Sequence, residues 1–281
     1  MKLHVINTGF FKLDGGAMFG VVPKSIWQKS NPADDKNLCT WAMRCLLIED
    51  GNRLILVDTG IGDKQDQSFL RHYYLHGEDS LISSIHKAGF SEKDVTDVIL
   101  THLHFDHCGG ATVYNKDRTK IELTFKNAVY WSNEDHWKWA TVPNAREKAS
   151  FLKENIEPVW ESGNLDFIQI REKSPFPSIK FLFVDGHTDK QMIPVIDYKG
   201  KKIVFAADLL PSVGHIPIPY IMAYDTRPLL SMQEKEAFLA DALAHDYIIL
   251  LEHDPVNECC TVQATEKGVR LKDTFKLTDV L

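Results

Sequence analysis

The sequence predicts an α/β protein whose sheets are covered by helices on both sides, and three observations carry that prediction. Short apolar runs recur at residues 3–6, 18–22, 43–48, 54–57, 98–100, 179–184, 192–196, 203–206 and 247–251. Several are continuous instead of alternating, the pattern of strands buried on both faces. Helical patterns lie between them with no Gly/Ser- or Pro-rich linker, so residues 1–281 read as a single domain.

Taken in order, the run at 3–6 follows Lys2 directly and is too short for the apolar core of a signal peptide. The run at 18–22 follows Gly15 and Gly16, paired glycines suited to a turn. Residues 80–88 place apolar side chains at helical spacing and close on Gly89, a helix stop signal. Residues 127–163 carry Trp131, Trp137, Trp139 and Trp160, four of the six tryptophans. They read as helices packing through indole rings, the other reading being a wall or lid over an apolar pocket. Ser231 and Glu234 fit an S-x-x-E capping box, which predicts a helix start there ahead of 236–244.

A chain of 281 residues with 44% hydrophobic and 25% charged residues has the balance of an ordinary globular protein, which excludes disordered, collagen-like and coiled-coil classes. The net charge of −7 repels phosphate backbones, so no nucleic-acid partner is expected. Cys39, Cys45, Cys108, Cys259 and Cys260 form an odd set without a disulfide framework, as in a reducing compartment. With no signal peptide and no run of about 18 apolar residues, a cytoplasmic location and no membrane partner are expected.

The chemistry concentrates in His102-Leu103-His104-Phe105-Asp106-His107, which follows the strand-like run 98–100 and precedes Gly109 and Gly110. Neutral imidazoles and carboxylates are ligands for zinc and similar metals, and four of them in six residues at a strand end can face one small volume. The two glycines are expected to allow backbone conformations that let the chain turn away closely beneath a metal. Cys108 is assigned to packing. His72, His76, His86, His136 and His245 have no partner at ligand spacing and read as surface or helix residues.

With these residues the sequence resembles the metallo-β-lactamase-fold hydrolases, whose HxHxDH motif is followed by an isolated His, an Asp and a final His. The matching positions are His187 in Asp185-Gly186-His187-Thr188, Asp208 in Phe205-Ala206-Ala207-Asp208, and His253 in Leu251-Glu252-His253-Asp254, each just beyond an apolar run. The resemblance runs from Asp58 in Leu56-Val57-Asp58-Thr59-Gly60 to His253. It implies an αββα sandwich, two mixed sheets covered by helices on both outer faces. It also implies two divalent ions, zinc foremost, with manganese, iron or cobalt as alternatives. One would be held by His102, His104 and His187, the other by Asp106, His107 and His253, with Asp208 bridging and Asp58 orienting a ligand histidine. Such a pair lowers the pKa of a shared water toward about 7 and makes a bridging hydroxide the nucleophile. Asp208 or Asp106 would pass a proton to the leaving group.

Within that family, Asp14-Gly15-Gly16-Ala17-Met18-Phe19-Gly20 and Met222-Ala223-Tyr224-Asp225 are similar to segments of quorum-quenching N-acyl-homoserine lactone lactonases. The resemblance implies an enzyme that opens lactones or cleaves esters, with a small-molecule ester or lactone as its partner. Organophosphate or aryl ester hydrolases and phosphodiesterase- or nuclease-type members are the alternatives, the last disfavoured by the acidic balance. A non-catalytic sensor is disfavoured because every expected ligand is present. Met18 and Phe19 either line an acyl pocket or belong to the core. The lactonase tyrosine expected three positions after the bridging aspartate is replaced by Pro211. His215, Tyr220 and Tyr224 follow it, and at least one is expected to reach the metal site and supply the missing hydroxyl. Pro211, Pro217 and Pro219 make this a stiff loop.

Overall fold

The computed structural model describes residues 1–170 and 172–280. The chain forms two compact units. The first comprises Met1–Gly9, Met43–His72 and His76–Pro175, the second Phe10–Ala42, Tyr73–Leu75 and the chain from Phe176 on.

One six-stranded sheet has the order β1 (Lys2–Asp14), β2 (Leu38–Asp50), β3 (Arg53–Val57), β4 (Asp97–Ile99), β7 (Val129–Ser132) and β8 (Leu165–Phe167), while β5 (Thr112–Tyr114) pairs with β6 (Ile121–Leu123). The larger sheet is mixed. β2 and β3 are antiparallel with Leu46 opposite Val57, whereas β3, β4, β7 and β8 run parallel, with Val57 opposite Ile99 and Ile99 opposite Trp131. Leu54, Ile55, Leu56 and Val57 of β3 are all buried, so parallel pairing explains why this run is continuous and not alternating. The first unit also holds α3 (Gln67–Leu70), α4 (Leu81–Lys87), α5 (Phe105–Cys108), α6 (Glu134–Thr141) and α7 (Lys153–Glu161). Its core includes Ile6, Leu47, Leu56, Ile85, Val98 and Tyr130. α4 is capped by Ser80, whose side chain accepts from Ser83 N, and the chain leaves it through Gly89 at φ +93°, as the spacing predicts.

The second unit holds the mixed sheet β14-β13-β12-β11-β10-β9, made of β9 (Ile179–Val184), β10 (Gln191–Tyr198), β11 (Lys201–Phe205), β12 (Ile248–Leu250), β13 (Cys259–Thr265) and β14 (Gly268–Phe275). Only β11 and β12 pair in parallel, with Phe205 opposite Leu250; the other pairs are antiparallel. This unit also carries α1 (Gly15–Phe19), α2 (Lys24–Trp27) and α8 (Pro228–Ala244), which packs on β13. The mixed sheets and helices agree with the α/β class the sequence predicts.

Two local expectations are corrected. Residues 18–22 are not a strand: α1 runs through Met18 and Phe19, started by Asp14, whose carboxylate accepts from Ala17 N at 2.9 Å. Gly15 is required there by contact, since a Cβ would sit 2.3 Å from the Trp27 ring. α8 begins at Pro228, not at Ser231, which lies inside the first turn and is buried. Proline at the first helical position provides the start, and Glu234 turns away to hold the chain at Asp185.

The tryptophan-rich stretch splits by role. Trp131 and Trp137 are buried, and Trp160 stacks on Trp137 with centroids 6.1 Å apart. The pair borders a cavity of 350 Å³ between α6 and α7. Trp139 acts differently, its indole N–H donating to Glu147. No helix among the described residues is long and apolar enough to cross a membrane.

Candidate metal centre

Parallel pairing brings the ends of β3 and β4 together in the first unit, and the chain beyond them carries Asp58 and the histidine-rich run. Asp58 N donates to Ile99 O at 2.9 Å, Thr59 N to His107 O at 2.8 Å, and Gly110 N to Gly60 O at 2.9 Å. The two segments approach so closely that a Cβ on Gly109 would stand 2.1 Å from Ile61 O and one on Gly110 2.2 Å from Thr59 O. The glycines are therefore needed for clearance. Gly109 itself has ordinary helical angles of −60° and −40°, which corrects the expectation of unusual backbone freedom.

Asp58 is fully buried with φ +59°, a strained conformation of the kind kept at functional sites. Its carboxylate accepts from Thr101 N at 2.7 Å, Thr101 Oγ1 at 2.7 Å and His107 Nδ1 at 3.0 Å. Thr101 gives its hydroxyl hydrogen to Asp58, so its oxygen accepts from His102 Nδ1 at 3.1 Å. These bonds assign the proton to Nδ1 in both His102 and His107 and leave the lone pairs on Nε2. His104 is turned the other way, with Nε2 donating to Glu147 Oε1 at 3.4 Å. Its Nδ1 faces His102 Nε2 at 3.1 Å. Two imidazole lone pairs at that distance repel unless a cation lies against both, so this donor set fits a divalent metal. Asp106 and His107 follow on α5, with Asp106 Oδ2 3.9 Å from His107 Nε2.

The second unit carries a further set of ligand-type side chains. His187 follows β9, Asp208 lies on a 3₁₀ turn after β11 beside Ala207 at φ +43°, and His253 follows β12. Asp208 stands between the two imidazoles, its Oδ2 3.0 Å from His187 Nε2 and its Oδ1 3.0 Å from His253 Nε2. The far ring nitrogens are anchored: His187 Nδ1 donates to Asp225 Oδ1 at 2.9 Å and His253 Nδ1 to Ala42 O at 2.8 Å. A carbonyl can only accept, so His253 Nε2 turns a lone pair on Asp208. Burial alone would depress the His187 pKa, but Asp208 and Asp225 on its two nitrogens raise it to about 10. The array thus favours positive charge beside Asp208.

His215 takes a different part from the one its position suggests. It is buried, its Nε2 donates to Met18 O at 2.8 Å, and its Nδ1 accepts from Ser212 Oγ at 2.8 Å. Its ring stacks on Phe19 at 4.5 Å, and Phe19 stacks on Trp27 at 5.4 Å. Burial pushes its pKa down to about 3, so it is a neutral core residue whose nitrogens are both engaged. Met18 and Phe19 are core as well. Tyr220 is half-buried and Tyr224 is 39% exposed. Cys108 is buried with its thiol pushed up to about 12, consistent with packing.

Three residues not singled out by sequence brace the histidines. Asp225, in a segment that the sequence marks only by resemblance, holds His187. Glu147 meets His104, and its other oxygen accepts from Trp139 Nε1 at 2.7 Å and Asn144 Nδ2 at 2.5 Å. His136 lies on a helix as expected but is fully buried, and its Nε2 accepts from Leu103 N, between the first two ligand-type histidines, at 2.9 Å. His72, His76, His86 and His245 are exposed.

A profile of the Metallo-beta-lactamase superfamily matches residues 44–253. A curated N-acyl homoserine lactonase of Bacillus cereus is 27% identical over 197 residues; the match spans 66% of each chain, slightly under two thirds of that relative's length. A probable metal-dependent hydrolase from Staphylococcus aureus of known structure shares 29% identity and a TM-score of 0.86 over 98% of both chains. A dizinc quorum-quenching lactonase solved in complex with a product shares 22% identity and a TM-score of 0.78, covering 98% of this chain and 97% of that one.

Proposed function

The chain belongs to the metallo-β-lactamase superfamily, and from that premise we propose that it is a single-domain, dinuclear metal-dependent hydrolase that opens lactones, N-acyl-homoserine lactones among them, or cleaves simple esters. The observation that carries the proposal is the imidazole–Asp208–imidazole array, together with the facing lone pairs of His102 and His104. In this reading His102, His104 and His187 hold one ion, Asp106, His107 and His253 the other, and Asp208 belongs to both. Zinc is the first candidate for such ligands. The bound ions would supply Lewis-acid polarisation and a hydroxide from water at neutral pH. Asp58 fixes the His107 tautomer directly and that of His102 through Thr101, while Asp208 or Asp106 hands a proton to the leaving alkoxide. Tyr220 or Tyr224 donates a hydroxyl to the substrate carbonyl in place of the residue missing at Pro211.

The test is a pH-stat assay of metal-quantified protein on a long-chain acyl-homoserine lactone, an aryl ester and an aryl phosphotriester, with Asp208→Asn as control. Preferred lactone turnover, lost in the control, with about two ions per chain is the expected result. Turnover of the phosphotriester or aryl ester alone would replace the lactonase reading with its alternative. A protein that carries both ions yet turns over none of the three would sink both.

A further inference from the structure

Helix α8 places Lys235 against the loop at 212–221. Lys235 is only 1% exposed, yet its partners are carbonyls and not carboxylates. Its Nζ lies 2.8 Å from His215 O, 3.1 Å from Pro217 O and 2.6 Å from Tyr220 O, which uses all three donors of an ammonium. Burial pulls its pKa down to about 7, and the Asp225 carboxylate opposes this only through its field, so the ammonium is held by the three carbonyls and not by a paired carboxylate.

The sequence explains why the carbonyls gather there. The chain makes a 3₁₀ turn at Val213–His215 in which Val213 O accepts from Ile216 N at 3.3 Å, and a continuing helix would give His215 O the N–H of residue 219. Position 219 is proline and has no N–H to give. The loop therefore turns His215 O inward without its helical donor, beside Tyr220 O and beside Pro217 O, which also accepts from Tyr220 N at 2.9 Å. Carbonyl dipoles arranged around one point can replace the hydration shell of a monovalent cation.

We propose that Lys235 is a positioning residue, a tethered cation that holds the 212–221 loop in shape, and that the carbonyl cage it fills accepts a free ammonium ion when the side chain is removed. The loop carries His215, whose ring joins the Phe19 and Trp27 stack, and it carries Tyr220. The consequence for substrate rests on the hydrolase reading above: loss of the cation raises KM more than it lowers kcat, with metal content unchanged.

The experiment compares Lys235→Ala and Lys235→Met with the wild type by amide hydrogen exchange across the loop. It is run in tetramethylammonium chloride and in ammonium chloride at equal ionic strength. In tetramethylammonium, K235A exchanges these amides at least about tenfold faster than wild type, and ammonium restores protection. K235M, whose side chain occupies the cage without charge, exchanges fast in both salts. Wild-type protection of the loop in K235M, or a K235A variant indifferent to ammonium, overturns the proposal. Should K235A fail to fold, its refolding yield in the two salts becomes the readout, and equal yields overturn it. Because exchange requires no turnover, a protein inactive on every substrate would refute the hydrolase reading while leaving this result standing.

Discussion

Asp225 and Glu147 each meet the histidine nitrogen that faces away from the ligand-bearing one, Asp225 on His187 and Glu147 on His104. Such partners fix the tautomer and raise ligand basicity, and their loss typically costs about 10–100-fold in metal affinity. Asp225→Ala should therefore lower affinity by about that factor in a chelator competition titration. Asp225→Asn, which can still accept the Nδ1 hydrogen, should lose less. Equal affinity in all three proteins would show that Asp225 merely packs. His215 makes a prediction about pH. Its folded pKa of about 3 lies below its ordinary value of 6.5, so the unfolded chain binds the extra proton first. The linked stability is complete above pH 6.5 and falls as pH drops toward 3. At pH 5 the loss is about 2 kcal/mol, and His215→Phe, which keeps an aromatic ring on Phe19, should flatten the acid limb of the stability curve by that amount. Parallel curves for the two proteins would refute it. None of this was legible in the sequence, because Asp225 and His187 are 38 residues apart, Glu147 and His104 43, and His136 and Leu103 33. The ligand-type histidines were legible because four ligand candidates share one short loop.

Strands buried on both faces announce themselves by composition, and β3 and β10 lie where their apolar runs predict, as does the edge strand β9, where Lys180 and Leu182 are exposed. Helix starts depend on a single cap, and there sequence reasoning was deceived twice. Ser231 and Glu234 have the spacing of a capping box, but Pro228 already starts α8 and Arg227 stands at its cap. Glu234 instead accepts from Asp185 N at 2.7 Å and Gly186 N at 2.8 Å, and burial raises its carboxyl pKa. The helix thereby grips the turn that presents His187. Glu234→Ala should cost about 1–3 kcal/mol of unfolding free energy by leaving two N–H groups without their acceptor. It should also weaken metal binding, since the turn loses its brace. A stable variant with unchanged metal affinity would show that the turn holds its shape alone. The 18–22 run misled for a related reason. Apolarity marks burial, and Phe19 is buried in a helix and an aromatic stack, not in a sheet.

Over the whole molecule, the ligand-type side chains His102, His104, Asp106, His107, His187, Asp208 and His253 are all buried. Burial of carboxylates and of imidazoles whose lone pairs face one another is unfavourable without a counter-charge. Such a set is tolerated when bound cations return the free energy on folding, because ions that bind only the native state add RT ln(1 + [L]/Kd) to its stability. At a thousandfold excess over Kd that is about 4 kcal/mol for each ion, and in a chain of this size each kcal/mol moves the midpoint by about 2–4 °C. Chelation should therefore lower Tm by roughly 10 °C or more, with recovery on returning zinc, manganese or cobalt. Acid should act in the same direction as chelator, because protonated imidazoles release metal, so the metal-dependent part of Tm should shrink as pH falls below about 6.5. A chelated protein with an unchanged Tm would mean that these seven side chains are stable in their buried places without metal, and the proposed centre would have to be abandoned together with the hydrolase chemistry built on it.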